Sequence, residues 1–304
     1  MRSPASFRDA SLASGNEKGN SMSNAPPLRL SRAFADTAKG RIHYRYHFPG
    51  SAKGTLLMLH ASPTSSWSMR TLGGALAETL NVVCPDTPGN GDSDALEMEQ
   101  PRIEDFAVSM LALLDTLGIE SASAYGSHTG AHTAIELGIA APERIGKVIL
   151  DGIALFEGKE RQDMLSNYAP EVHPDLEGRH YLWAFQFMRD QNIFFPWFKR
   201  DKEHLRGTGI VAPELLHRAT VEVLKALTTY HKAYRAAFSH RVRERMPLLT
   251  SEALAICDAQ DPLLEHTREA AALAPRARFL ETPGYEDPDF LTRKVGAIRE
   301  FVTA

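Results

Sequence analysis

The chain has 304 residues, 43% hydrophobic and 24% charged, with a formal net charge of −4. This composition excludes wholesale disorder, lacks the basic excess of a nucleic-acid binder, and contains no apolar run approaching the ~18 residues of a membrane span. The length accommodates one large domain or two small ones. The two cysteines, Cys84 and Cys257, are too few for a disulfide scaffold and have no metal-ligand spacing. Both sit in apolar runs and read as buried thiols in a reducing compartment.

Residues 1–27 are rich in Ser, Ala, Asn and Gly and lack the apolar core of a secretory signal. Asp9 and Glu17 argue against an organelle transit peptide. The expectation is a disordered leader on a cytoplasmic protein.

From Leu28 onward, strands and helices alternate. RIHYRYHF (41–48) reads as a strand entered from a turn at Gly40. TLLMLH (55–60) and NVVCPD (81–86) are unbroken apolar runs, the pattern of strands covered on both faces. MRTLGGALAETL (69–80) has helical spacing between them. In IEDFAVSMLALLDTLGI (103–119), Phe106, Met110, Leu113, Leu114 and Leu117 form one apolar stripe. SASAYG (121–126), AHTAIELGIAAPERI (131–145) and KVILDG (147–152) read as strand, helix and strand. The alternation predicts a parallel sheet with helices on both faces.

The texture changes at Ala154. From Phe156 to Met246 no segment reads as a strand, aromatic residues are dense, and helical stretches fall near 180–190 and 213–238. Alternation returns with ALAICD (253–258), EHTREAAALA (265–274), RARFLETP (276–283) and DFLTRKVGAIREFV (289–302). The expected organisation is an α/β core of residues 28–154 and 247–304, interrupted by a helical lid over 155–246.

Ligands of open parallel sheets bind beyond the carboxyl ends of the strands, so the loops there carry the chemistry. Gly126-Ser127-His128-Thr129-Gly130 lies between a strand and a helix and has the G-x-S-x-G frame of a nucleophile elbow, with His128 in the central place. Ser127 is one position early. The helix that follows directs free backbone N–H groups at the turn.

With this frame, His60-Ala61-Ser62-Pro63 resembles the H-G-x-P loop of the α/β-hydrolase fold, and Asp86-Thr87-Pro88-Gly89-Asn90-Gly91-Asp92-Ser93 resembles its D-x-x-G-x-G-x-S loop. HASPTSSWSMR is similar to haloalkane dehalogenases and related lid-bearing members. The resemblance implies a mainly parallel sheet flanked by helices, with an inserted helical lid. It also implies an oxyanion hole formed by the backbone N–H groups of Ser62 and Thr129. Three positions depart from the dehalogenase pattern: His128 replaces the elbow Asp, Thr129 the Trp after it, and Ser62 the halide-binding Asn. Dehalogenase activity is therefore not expected.

The family acid position after the lid matches Asp261 in ICDAQDPLL, whereas the catalytic His position falls in Pro283-Gly284-Tyr285-Glu286-Asp287-Pro288, where Asp287 takes its place. The two losses are complementary: the elbow gains an imidazole and the last loop gains a carboxylate. The expected constellation is His128 paired with Asp287 or Glu286, with Asp261 behind and Asp151 as a second acid position. Glu286 and Asp287 read equally well as a solvated turn starting the last helix, and His128 as an inert remnant in a binding pocket. His60 reads as a brace for its loop, and Asp86 and Asp92 as turn formers. Trp183, Phe187, Phe195, Trp197 and His231 are the candidates for lid residues lining the pocket.

The leading functional reading is a cofactor-independent hydrolase of a small, partly apolar ester or lactone, with His128 as general base or nucleophile. The alternatives are a lyase or other proton-transfer enzyme on the same fold, and a non-catalytic small-molecule receptor. No metal, nucleic-acid or membrane partner is expected. The oligomeric state is open, a homodimer being one option.

Overall fold

The computed structural model describes residues 28–304, so the leader expected over 1–27 lies outside the described residues. The described residues open with an antiparallel pair, β1 (Ser31–Thr37) and β2 (Gly40–His47). β3 (Thr55–Leu59), α1 (Arg70–Leu76), β4 (Asn81–Pro85), α2 (Ile103–Thr116), β5 (Ala122–Ser127), α3 (Thr129–Ala140) and β6 (Ile145–Asp151) follow. Next come α4 (Gly158–Asn167), α5 (Arg179–Ile193), α6 (Pro213–Lys225), α7 (Tyr230–Ser239) and the short α8 (Val242–Arg245). β7 (Glu252–Asp258), α9 (Leu264–Leu273), β8 (Ala277–Thr282) and α10 (Phe290–Thr303) complete the chain.

The described strands all join one sheet in the order β1-β2-β4-β3-β5-β6-β7-β8. β2 runs antiparallel to β4, and every pairing from β4 to β8 is parallel. The alternation of side chains along each strand divides the core into two layers. Leu57, Leu59, Val83, Ala124, Val148 and Leu150 pack on one face under α2, α3 and α9. Leu56, Met58, Val82, Cys84, Tyr125 and Ile149 pack on the other, under α1 and α10. Cys84 and Cys257 are both buried and unpaired. This is the mainly parallel, helix-flanked sheet of the α/β-hydrolase fold.

Two local readings differ from the structure. SRAFADT forms β1, which the sequence reading left unassigned. It is an edge strand in which only Ala35 is buried, so it carries little apolar signal. The helical stretch expected near 213–238 consists of two helices, separated after Lys225. At the break Thr229 Oγ1 donates to Gly89 O at 2.5 Å, tying the chain to the loop after β4.

The segment between β6 and β7 contributes no strand to the sheet; it contains one isolated bridge, Phe194 to Leu205. Its aromatic residues form a separate core with Phe187, Trp197, Tyr230 and Phe238. No helix among the described residues is long and apolar enough to cross a membrane.

Candidate active site

The turn between β5 and α3 is packed so closely that its glycines admit no side chain. A Cβ on Gly126 would lie 2.1 Å from Gly130 O, and one on Gly130 would lie 2.4 Å from Leu59 O. Between them His128 holds φ +49° and ψ −110°, the one non-glycine residue with positive φ among those described. Such a backbone costs about 1–3 kcal/mol and persists only where its surroundings enforce it. Here the His128 N–H donates to Asp151 O at 2.9 Å, and the imidazole lies over Gly152, where a Cβ would come within 3.1 Å of the ring.

His128 Nε2 meets Asp261 Oδ2 at 2.9 Å. The other carboxylate oxygen of Asp261 accepts from the Leu263 N–H at 2.8 Å, so both oxygens are oriented. Burial raises the Asp261 pKa, but the imidazole and the Leu263 N–H outweigh it and hold the carboxyl at about 2. Burial lowers the His128 pKa, but the Asp261 carboxylate more than offsets this and the net shift is upward. An ionised carboxylate only accepts, so Nε2 carries the proton and Nδ1 is left as the lone-pair nitrogen in the neutral ring.

The carboxylate against His128 is thus Asp261, and the pairing expected with Asp287 or Glu286 is corrected. Both of those residues are exposed. Asp287 Oδ1 accepts from the Asp289 N–H at 2.8 Å, so this carboxylate serves the turn into α10. Asp151 is engaged elsewhere: it accepts from Lys294 Nζ at 2.8 and 3.1 Å and from the Tyr125 hydroxyl, all three residues being buried.

The expected oxyanion hole is also modified. The Ser62 N–H donates to Thr129 Oγ1 at 2.6 Å, and that hydroxyl donates to Ser62 Oγ at 3.1 Å. The Ser62 donor is therefore capped by the neighbouring side chain. The Thr129 N–H, at the first helical position, has no intrahelical acceptor. Tyr234, from α7, donates to Ser62 O at 2.7 Å and fixes the same loop from above. His60 braces the loop beneath, donating through Nδ1 to Ala61 O and accepting the Thr87 N–H at Nε2, both at 2.9 Å. Asp86 accepts from Ser66 N, Asp92 N and His43 Nδ1. His43, Asp86 and Asp92 place their ligand-type atoms within 4.8 Å of one another, and the hydrogen bonds to Asp86 give this group a loop-holding role.

His128 opens into a cavity of about 270 Å³ lined by Ser62, Ser127, Thr129, Tyr168, Phe195, Tyr234 and Phe238 among others. Of the expected lid residues, Phe195 lines it. Phe187 and Trp197 are buried in the aromatic core, where Trp183 stacks on Phe187, and His231 faces Glu171 at 3.8 Å; none of the four lines the cavity. The sequence reading missed Tyr168, Gln191, Arg206, Tyr234 and His132, all on the cavity wall. For His132 a signal existed. His132 and Glu136 are four residues apart in a helix otherwise rich in Ala, Gly and Ile, which places these two polar groups on one face.

A family model described as alpha/beta hydrolase fold matches residues 54–294. The chain is 30% identical over 186 residues to the 2-hydroxy-6-oxo-6-phenylhexa-2,4-dienoate hydrolase of Burkholderia cepacia, covering 56% of this chain and 65% of that protein. It is 34% identical over 159 residues to the 2-hydroxy-6-oxononadienedioate/2-hydroxy-6-oxononatrienedioate hydrolase 2 of Pseudomonas putida, covering 45% and 56%. The matches thus span less than two thirds of these relatives' own length. Among solved structures, a hydrolase from Pseudomonas aeruginosa PA01 matches with a TM-score of 0.69 at 19% identity, over 90% of this chain and 98% of that one. The enol-lactonase from Burkholderia xenovorans LB400 matches with a TM-score of 0.64 at 21% identity, over 90% and 100%. These two likenesses speak to the fold alone, but the family match covers most of the chain, which therefore belongs to the alpha/beta hydrolase fold family.

Proposed function

We propose that this protein is a cofactor-independent hydrolase of a small, partly apolar carbonyl compound, an ester, a lactone or an oxo-dienoate, with His128 as its general base. The observation that carries the reading is the 2.9 Å contact of His128 Nε2 with Asp261, on a strained turn beneath an aromatic cavity. The curated relatives, named as dienoate hydrolases, support it.

In this mechanism Nδ1 takes a proton from water as the water oxygen bonds to the carbonyl carbon. The imidazolium is stabilised by Asp261. Collapse of the tetrahedral intermediate breaks the bond to the leaving group, which takes the proton back from Nδ1. The Thr129 N–H at the start of α3 faces the developing oxyanion. The turn acts as the family's nucleophile elbow with a base in place of a nucleophile, and the helices between β6 and β7 act as the lid over the substrate.

A second reading, proton transfer or lyase chemistry without an acyl intermediate, is favoured by one observation: Thr129 Oγ1 already occupies the Ser62 N–H. The deciding experiment offers nitrophenyl esters, a lactone panel and 2-hydroxy-6-oxo-6-phenylhexa-2,4-dienoate in ¹⁸O-water. Acid product carrying the label supports hydrolysis. Turnover without label supports the second reading, and binding without turnover defeats both.

A further inference from the structure

The cavity at His128 carries one permanent charge. Among the described residues its lining contains no Asp, Glu or Lys, and Arg206 is the only arginine on it. Aromatic and apolar side chains such as Tyr168, Phe195, Tyr234 and Phe238 dominate the rest of the wall. A cation in such a wall is usually met by a carboxylate, because an unpaired charge away from water is costly. Arg206 is half-buried and has no such partner among the described residues. Its side chain makes one hydrogen bond there, from Nη1 to Gln191 O at 2.8 Å. Nε is buried without a partner, whereas Nη2 is neither buried nor bonded. The open Nη2 and the second hydrogen of Nη1 are therefore left for an acceptor from outside the chain.

Asp261 does not fill that place. Both of its oxygens are engaged, by His128 and by the Leu263 N–H. Arg206 acts on it only through space: burial raises the Asp261 pKa, and against burial work the imidazole, the Leu263 N–H and then the Arg206 charge. The guanidinium thus stands within electrostatic reach of the His128 pair without closing on it.

The backbone holds Arg206 in this position. It lies on a strap between α5 and α6, where the Phe195 N–H donates to His204 O and the Arg206 N–H donates to Ile193 O, both at 2.9 Å. Just beyond, Gly207 and Gly209 turn the chain with φ +75° and +73°. Between them Thr208 O accepts from the Tyr285 hydroxyl at 2.5 Å. Tyr285 belongs to the loop after β8, next to Glu286 and Asp287. That loop supplies no partner to His128 among the described residues, and it pins the strap instead.

We propose that Arg206 sets the specificity of this site by selecting substrates that carry a carboxylate away from the carbonyl group on which His128 acts. A planar guanidinium with free donors holds a carboxylate in paired, charge-assisted hydrogen bonds. The aromatic wall covers the apolar body between the two ends. The substrate class this defines is a keto acid or a half-ester of a dicarboxylic acid, with neutral esters as poorer ligands.

The inference rests on the hydrolase reading for the carbonyl end alone, and the test keeps the two apart by measuring binding without turnover. Titration calorimetry compares 4-oxo-4-phenylbutanoate with its amide, which differ only at the charged end. The wild type should bind the acid about 10–100-fold more tightly, the usual worth of a hydrogen bond to a charged group. Arg206→Gln should lose most of that preference. Arg206→Lys should keep part of it, since an ammonium retains the charge without the planar fork. In steady-state assays Arg206→Gln should raise KM for 4-nitrophenyl hydrogen glutarate far more than for 4-nitrophenyl pentanoate, with kcat little changed. No acid preference in the wild type would overturn the inference, as would a full acid preference in a folded Arg206→Gln protein. Acid preference with no ester turned over would uphold the anchor and defeat the hydrolase reading. Ester turnover without acid preference would do the reverse.

Discussion

Replacing Asp261 by Asn removes the carboxylate charge beside His128 while nearly preserving its shape. A carboxyl lowered from 3.8 to about 2 corresponds to about 2 kcal/mol of folded-state preference for the ionised form. The side chain is 11% exposed, so solvent screens little of this. Asp261 has a folded pKa below its unfolded one, so its stabilisation is present above 3.8 and is lost as pH falls toward 2. His128 has a folded pKa above its unfolded one, so its stabilisation is complete below 6.5 and is lost as pH rises through the raised value. Both describe the same pair. The stability gap between the wild type and Asp261→Asn should therefore peak at about 2 kcal/mol near pH ~5 and shrink on either side. Urea unfolding across the acid and neutral range measures it. Activity supplies an independent reading. The rate should rise with pH as His128 loses its proton, with a midpoint above 6.5 in the wild type. In Asp261→Asn the main group offsetting burial is gone, so the midpoint should move down and kcat should fall about 10²–10⁴-fold. A stability gap independent of pH, or an unmoved midpoint, would refute the ion-pair reasoning.

Thr129→Ala frees the Ser62 N–H from its 2.6 Å bond and should raise kcat/KM for esters, at a stability cost of about 1–3 kcal/mol for the uncapped donor. A lower kcat/KM in steady-state assays would mean that the hydroxyl itself serves the substrate. Lys294→Met strands the buried Asp151 carboxylate and should cost about 3–5 kcal/mol in denaturant unfolding; a loss below 1 kcal/mol would show that water reaches that site. Neither haloalkanes nor serine-directed fluorophosphonates should react productively here, because position 128 carries an imidazole in place of the carboxylate or hydroxyl those reactions use. Steady halide release, or stoichiometric labelling of Ser127 with loss of activity, would contradict that assignment.

The sheet was largely legible because its strands are buried on both faces and read as unbroken apolar runs; β1, at the edge, lacked that signal. The tight turn at His128 was legible because only glycine fits at positions 126 and 130. Its carboxylate partner was harder to read. Asp261 and Asp287 both follow parallel strands near the same sheet edge, and sequence does not reveal that Asp287 is engaged by the Asp289 N–H. The cavity wall was the least legible. In α5 aromatic and apolar residues occur on nearly every side, so helical phase alone does not tell Phe187, which faces the aromatic core, from Met188, which faces the cavity.

Lys294 follows Asp151 by 143 residues. A chain made from its N-terminus therefore lays down the β5–α3 turn, β6 and Asp151 long before the ammonium group that neutralises the floor beneath them. Until α10 seats Val295, Ile298 and Phe301 against the sheet, that floor carries an open negative charge beside the imidazole. A chain that stops short of α10 thus holds most of the sheet but leaves Asp151 without the ammonium group that pairs it.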